Sequence, residues 1–218
     1  QALIMAGLVF SKERKLEKSG QQVAEDIALE VRGQDHPWVS RGGLKLAHAI
    51  EHFDINPSNF ICLDVGASTG GFTDVLLQNG AKRVYAVDVG HGQLAWKLRS
   101  DERVIVLEKT NARYLTATEI PEPVDIVVCD ASFISLKTVL PAALGLAKKG
   151  AVLAALIKPQ FEAGREQVGK GGVVRDPAIH HQVCETIRNW LDGMDNWSVR
   201  GIVESPITGP EGNVEFLI

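Results

Sequence analysis

The sequence predicts an α/β fold, a doubly wound and mostly parallel seven-stranded sheet of Rossmann-like type. Two observations carry that expectation. From about residue 60 onward, apolar runs of strand length alternate with segments of helix length, the pattern of βαβ units. The runs are also apolar at consecutive positions, as in "AVLAALI" at 151–157, which suits strands covered by helices on both faces.

The elements follow in order. Residues 1–33 read as part of a small separate domain, with apolar "ALIMAGLVF", charged "SKERKLEKSG" and then "QQVAEDIALEV", strand-like at its end. The chain opens without a methionine or a helix-start signal, so it reads as a fragment lacking its own amino terminus. Residues 34–41 serve as a linker, and Ser40 is placed to cap a helix over about 42–53. The strand candidates are "FICLDVG", "RVYAVDV", "RVIVLE", "VDIVVCD", "AVLAALIK", "VRGIVES" and "VEFLI". Between the first five lie the helical "FTDVLLQNG" and "QLAWKLRS", an irregular "NARYLTATEI" and the long helix "SLKTVLPAALGLAKKG"; "PAIHHQVCETIRNWLDG" precedes the sixth. Only "PITGPEGN" joins the last two strands. That is too short for a crossover, so the final strand should run antiparallel.

The chain has 218 residues, 45% of them hydrophobic and 23% charged, enough for one sizeable core and an accessory piece. No run approaches the roughly 20 apolar residues of a membrane helix and no signal-peptide layout opens the chain, so a cytoplasmic protein without a membrane partner is expected. Cys62, Cys129 and Cys184 are odd in number and lack CxxC spacing, which suits buried reduced thiols. A net charge of −4 offers no global attraction for nucleic acid, so such a partner must be argued locally.

The loop "LDVGASTGGF" at 63–72 joins the first sheet strand to a helix, and its glycines let a ligand approach the backbone and the helix N-terminus. A dinucleotide fingerprint would read GxGxxG, but Ser68 stands between Gly66 and Gly71 where the second glycine is needed. A P-loop would end in Gly-Lys-Ser/Thr, which is missing. "GASTG" does match the GxSxG nucleophile elbow, with Asp130 and His180 or His181 following in hydrolase order. A serine hydrolase using Ser68 is therefore the rival. Against it stands the acidic spacing. Asp64 lies in the first strand just before the loop and Asp88 ends the second strand 24 residues later. A carboxylate at the second strand's end suits a ribose diol, and Asp64 would suit an ammonium. Ribose and ammonium without phosphate describe S-adenosylmethionine, which Asp64, the loop Gly66, Ala67, Ser68, Thr69, Gly70, Gly71 and Phe72, together with Asp88, Val89, Asn111 and Ala112, are expected to hold.

A second group surrounds the strand ends. "LAALIKPQFE" at 153–162 ends an apolar run on lysine and proline; proline removes a ladder donor and so places Lys158 at the sheet's rim. The preceding strand ends at Asp130, beside the topological switch point where open α/β sheets keep their chemistry. An antiparallel last strand brings Glu215 to the same rim, and Lys45 on the first helix can complete the set. Two lysines and two carboxylates suit removal of a proton from a weakly acidic hydroxyl, provided the neighbouring cation and desolvation favour a neutral Lys158. Two ordinary ion pairs at a sheet edge are the plainer alternative.

The motifs "SRGGLKL", "LDVGASTGGFTD", "AVDVGHGQL", "CDASFISL", "IKPQFEAGR" with "GGVVRDP", and "SPITGPEGNVEFL" closely resemble the TlyA (haemolysin A) family of ribosomal RNA 2′-O-methyltransferases, relatives of the FtsJ-type enzymes. The resemblance covers essentially the whole chain. It implies a class I methyltransferase domain over 42–218 and a catalytic Lys-Asp-Lys-Glu tetrad at Lys45, Asp130, Lys158 and Glu215. It also implies that residues 1–33 are the second half of an S-four-type RNA-binding domain. Ribosomal RNA or a ribosomal subunit would be the partner, bound with help from the "KERKLEK" stretch, Arg41, Arg165, Lys170 and Arg175, and the glycine-rich loop 164–172 would act as a substrate flap. The name haemolysin finds no support in a spanning helix or barrel-length strands.

Three other signals are set aside. His48, Glu51 and His52 spell HxxEH, but Leu44, Ala47 and Ile50 mark that helix as a packing element, so no metal is expected. His180 and His181 are adjacent on a helix and diverge. The four tryptophans are scattered, with no stacking platform.

Overall fold

The computed structural model describes residues 4, 8–12, 14–16, 18, 20–24, 27–31 and 36–218. The chain divides into two compact units, residues 1–37 and 38–218. Parts of the expected small domain, of the linker (residues 34 and 35) and of the "KERKLEK" stretch (residues 13 and 17) lie outside the described residues.

In the first unit, β1 (Val9–Ser11) pairs antiparallel with both β2 (Arg14–Lys15) and β3 (Glu30–Val31). Lys12, directly after β1, stands in the left-handed region at φ 52°, and Val9 and Leu16 are buried.

The second unit holds a seven-stranded sheet. Its strands are β4 (Ile61–Val65), β5 (Arg83–Val87), β6 (Val104–Leu107), β7 (Val124–Cys129), β8 (Ala147–Ile157), β9 (Val203–Glu204) and β10 (Phe216–Leu217), in the order β6-β5-β4-β7-β8-β10-β9. Strands β4 to β8 run parallel, and β10 is antiparallel to both its neighbours, β8 and β9, as the short connection requires. The chain winds outward from β4 to β6 and then returns to the other side of β4 with β7, so the switch point lies between β4 and β7.

All five residues of β4 are buried, yet period 2 still sorts them. Ile61, Leu63 and Val65 face a cluster containing Leu140 and Val183, from α4 (Leu136–Gly145) and α6 (Pro177–Asp192). Cys62 faces the other cluster with Leu46 and Leu76, from α1 (Gly42–Phe53) and α2 (Gly71–Gln78). The short α3 (Trp96–Arg99) adds Leu98 to that side, and α5 (Pro159–Glu162) follows β8 directly. The three cysteines are buried and free; burial pushes the thiols of Cys62 and Cys129 up to about 12.

Three local expectations need correction. Ser40 does not cap α1 through its side chain: Arg41 occupies the cap position without a side-chain bond, and the Ser40 carbonyl accepts from Gly43 N at 3.0 Å. Its hydroxyl stands 2.4 Å from where a Cβ on Gly71 would be. The long helix ends at Gly145 rather than 150, because Ala147 pairs with Val124 and "KKG" forms a bulge before Val152 pairs with Ile126. The last two strands shrink to two residues each.

The glycine pairs set how closely the helix starts meet. A Cβ on Gly71 would stand 2.8 Å from Gly43 N, so α1 and α2 can touch only as they are. Gly70 has φ +100°, and a Cβ there would lie 2.2 Å from Leu98 Cδ1. Gly70→Ala therefore combines backbone strain with overpacking and should lower stability by on the order of 3 kcal/mol, read as a lower urea midpoint by tryptophan fluorescence; an unchanged midpoint would show that α3 yields freely.

Candidate active site

Strand β4 ends at Val65 and the chain turns through Gly66 at φ +84°. The amides of Gly66 and Ala67 both donate to the Val87 carbonyl, at 2.9 and 3.0 Å, stitching the loop to the end of β5. There Asp88 accepts from Ser68 N at 2.8 Å and from Gly90 N at 2.7 Å, one bond per carboxylate oxygen. The carboxylate is thus fixed while each oxygen retains acceptor capacity. It borders a cavity of about 540 Å³ whose wall also includes Gly66, Ser68, Val89, Asn111 and Ala112, with Ala131 and Ile134 opposite. That volume is in the range of small-molecule sites. One basic side chain, Arg113, borders it, and its guanidinium lies 5.0 Å over the Tyr114 ring and bonds the Tyr114 hydroxyl. The cavity has a carboxylate at one side and mostly apolar lining, with a single basic side chain.

A smaller cavity of about 240 Å³ shares Gly66, Ser68, Asp130 and Ser132 with the first and adds Ala67, Thr69, Gly71, Phe72, Lys45 and Lys158. Each charged group arrives from a different element. Lys45 stands on α1, Asp130 follows β7, Lys158 follows β8 with Pro159 opening α5, and Glu215 precedes β10. Lys158 Nζ lies 2.5 Å from Asp130 Oδ1, and Lys45 Nζ lies 3.7 Å from Asp130 Oδ2 and 2.7 Å from Glu215 Oε2. The four predicted residues therefore form one continuous chain of contacts. Glu215 is fully buried. Gly209 makes room for it, since a Cβ there would stand 2.2 Å from Glu215 Oε1, and Gln160 Nε2 donates to the same oxygen at 3.4 Å.

Not every predicted residue reaches a cavity wall: Asp64, Gly70 and Glu215 border neither cavity. Gly70 is spent on packing against Leu94 and Leu98. Asp64 is fully buried on the α2 face of β4, where Thr73 Oγ1 donates to Oδ2 at 2.6 Å while Oδ1 has no protein partner among the described residues. Burial, reinforced by the charges of Asp130 and Asp88, pushes its carboxyl up to about 7, against the bonds from Thr73. The hydrolase geometry is not assembled: Ser68 Oγ bonds Gln93 Oε1 at 3.3 Å, whereas His180 Nε2 bonds the Val174 carbonyl at 2.8 Å and its ring meets Phe216. Ser68 does adopt the left-handed backbone of an elbow, φ +49°, but here that turn aims its amide at Asp88.

Sequence reasoning missed several contributors. Ser132 accepts from Lys158 Nζ at 3.0 Å; its position two residues beyond the predicted strand-end Asp130 was the available signal. Asp74, nearly fully buried, accepts from Val39 N at 2.8 Å and Lys97 Nζ at 3.2 Å, tying the segment before α1 to α2; nothing in the linear pattern marks it. The loop 164–172 is fastened at its end by Asn213, which accepts from Val174 N at 3.2 Å and donates to the Gly172 carbonyl at 3.1 Å. Arg41, Arg165, Lys170 and Arg175 are all exposed.

A switch-point glycine turn, a carboxylate closing the next strand and a charged cluster over the shared cavity wall define a nucleoside-cofactor transferase. Comparison with known proteins narrows this to one family. Residues 38–218 match the FtsJ-like methyltransferase model, and the chain belongs to that family. It is 49% identical over 217 residues to the 16S/23S rRNA (cytidine-2'-O)-methyltransferase TlyA of Mycobacterium tuberculosis, an alignment covering 99% of this chain and 81% of that one. A solved structure described as a hemolysin from Streptococcus thermophilus shares 46% identity with a TM-score of 0.84, covering 98% of this chain and 78% of that one. At 17% identity and a TM-score of 0.54, an O-methyltransferase from Bacillus cereus in complex with SAH shares the fold, over 82% of this chain and 80% of that one. No helix among the described residues is long and apolar enough to cross a membrane.

The buried Asp64 makes stability depend on pH with a definite sign. An aspartate in the unfolded chain ionises near 3.9, whereas the folded state holds this proton to about 7. The folded state binds more protons between those values, so stability falls as pH rises from about 4 to about 7 and levels off above. Thermal melts of the ligand-free protein should show wild type losing a few kcal/mol relative to Asp64→Asn across that window. A difference independent of pH would refute the buried neutral carboxyl.

Proposed function

We propose that this chain transfers a methyl group from S-adenosylmethionine to a ribose 2′-hydroxyl of ribosomal RNA in the cytoplasm. The observation that carries the reading is the Lys158–Asp130 pair opening onto a cavity that shares its wall with a nucleoside-sized site. The relation to an rRNA (cytidine-2'-O)-methyltransferase at 49% identity supports the substrate. Residues 1–33 would be part of an S-four-type RNA-binding domain, 34–41 the linker and 42–218 the catalytic domain.

The donor set fits the cofactor. Asp88 would accept from its ribose hydroxyls, Val89, Asn111 and Ala112 would flank the base, and Gly66 and Ser68 would offer close backbone approach. Asp64, sealed behind the loop with an unpartnered oxygen, would make no contact with the cofactor. When bound, the cofactor supplies an electrophilic methyl group on a sulfonium.

The remaining work falls to the tetrad. Lys158 Nζ would hold the substrate hydroxyl and, as a neutral amine, take up its proton. Asp130 orients Lys158 from 2.5 Å, and Lys45 stands on the other oxygen of the same carboxylate. Glu215 anchors Lys45 from a fully buried position. Arg41, Arg165, Lys170 and Arg175, exposed on the same unit, supply phosphate contacts, and the 2′-hydroxyl itself distinguishes RNA from DNA.

Calorimetry tests the cofactor. S-adenosylmethionine should bind and NAD should not, and Asp88→Ala should weaken binding at least tenfold; failure of folded wild type to bind S-adenosylmethionine would sink the reading. In methyl transfer to ribosomal RNA, Lys158→Ala should lower kcat by roughly 10²- to 10⁴-fold, and full activity in that variant would remove Lys158 from the chemistry.

A further inference from the structure

We infer that Ser132 is a positioning residue for Lys158, fixing the rotation of its amine so that one corner of the nitrogen faces the substrate hydroxyl. This rests on the methyl-transfer reading above. The argument is one of valence. A lysine amine has three positions beyond its carbon: three N–H donors when charged, two donors and a lone pair when neutral. Among the described residues, Lys158 Nζ has two partners, Asp130 Oδ1 at 2.5 Å and Ser132 Oγ at 3.0 Å. The Asp130 contact is an ion pair without the geometry of a directed hydrogen bond, whereas the Ser132 contact is a hydrogen bond. Asp130 therefore draws the nitrogen to itself by charge, and the bond to Ser132 Oγ is the one that sets how the amine is turned about the Cε–Nζ bond. With one corner given to Ser132 and the carboxylate beside a second, the third position is the one left for a reacting group.

The acceptor is itself held. Ser132 borders both cavities, the wall between the nucleoside site and the lysines. Its segment runs from Asp130 at the end of β7 to the start of α4, and the far end is clamped by one carboxylate. Glu162 Oε2 accepts from Ser135 Oγ and Oε1 from Leu136 N, both at 2.7 Å. Lys158 and Glu162 belong to one short stretch, the cap residue that follows β8 and the helix α5 that it opens. The same stretch therefore grips the Ser132 segment at two points, and the Oγ–Nζ distance is set by both. A merely structural serine would need no opening onto the reaction cavities.

The test compares Ser132→Ala, Ser132→Thr, Lys158→Ala and the double variant Ser132→Ala/Lys158→Ala in methyl transfer to ribosomal RNA, with calorimetry and thermal melts alongside. Ser132→Ala should lower kcat roughly ten- to a hundredfold, the scale of lost alignment at a reacting centre. The Kd for S-adenosylmethionine, the KM for RNA and the melting temperature should stay near wild type. Ser132→Thr, which keeps the hydroxyl, should recover most of kcat. The double variant should be no slower than Lys158→Ala, since residues acting as a unit do not add. Wild-type kcat in Ser132→Ala, equal losses in the Ala and Thr variants, or additive losses in the double variant would each overturn the inference while leaving the methyl-transfer reading intact. A folded wild type that transfers no methyl to ribosomal RNA would instead overturn both.

Discussion

One backbone contact holds the two halves of the site together. Asp130 N donates to the Val65 carbonyl at 3.1 Å, continuing the β4–β7 pairing one step beyond the strands. It brings the start of the glycine turn against the end of β7, so close that a Cβ on Gly66 would stand 3.1 Å from the Asp130 carbonyl. Because both strands are parallel and end on one rim, the loop that lines the nucleoside cavity and the carboxylate that holds both lysines share a wall. A side chain at position 66 would wedge them apart.

The cluster above that wall is a poor investment in stability. Ion pairs taken out of water recover their desolvation only with good geometry and further hydrogen bonds, and apolar replacements are often as stable. Here Lys45 and Lys158 are nearly buried and Glu215 wholly so, and each comes from a different element. Such an arrangement makes sense where charge must be held ready for chemistry. Its hydrogen bonds limit the damage: Gln160 on Glu215 and Ser132 on Lys158 supplement the ion pairs.

Beneath the loop the balance is opposite in sign. Asp64, Asp88 and Asp130 lie close enough that the last two raise the first, and Asp64 keeps one oxygen unpartnered in the interior. The Asp88 carboxylate beside the glycine turn disfavours a phosphate there, and Asp64 behind it, protonated up to about 7, adds to that only above this pH. The failed GxGxxG match at Ser68 agrees with this, because the Ser68 amide is given to Asp88 and those of Gly66 and Ala67 to the Val87 carbonyl, so they are not offered to an anion.

Much of this was legible in the linear sequence. Apolar strand runs separated by helices determine the doubly wound sheet, "PITGPEGN" forces the antiparallel last strand, and Lys158-Pro159 marks a strand end, because hydrogen-bonding geometry and proline chemistry act locally. Residues expected at strand ends, Asp88, Asp130, Lys158 and Glu215, therefore reach one rim. The tertiary structure alone decided what those side chains touch. Asp64 faces α2 and not the cavity because period 2 sends it to the Cys62 side of β4; Gly70 stands against Leu94 and Leu98; Ser40 packs at Gly71 instead of capping α1. Ser132, Asp74 and Glu162 acquire the partners named above across 23 to 35 residues of sequence. No local pattern encodes such pairs, since they exist only once the strands are ordered and the helices have closed on the sheet.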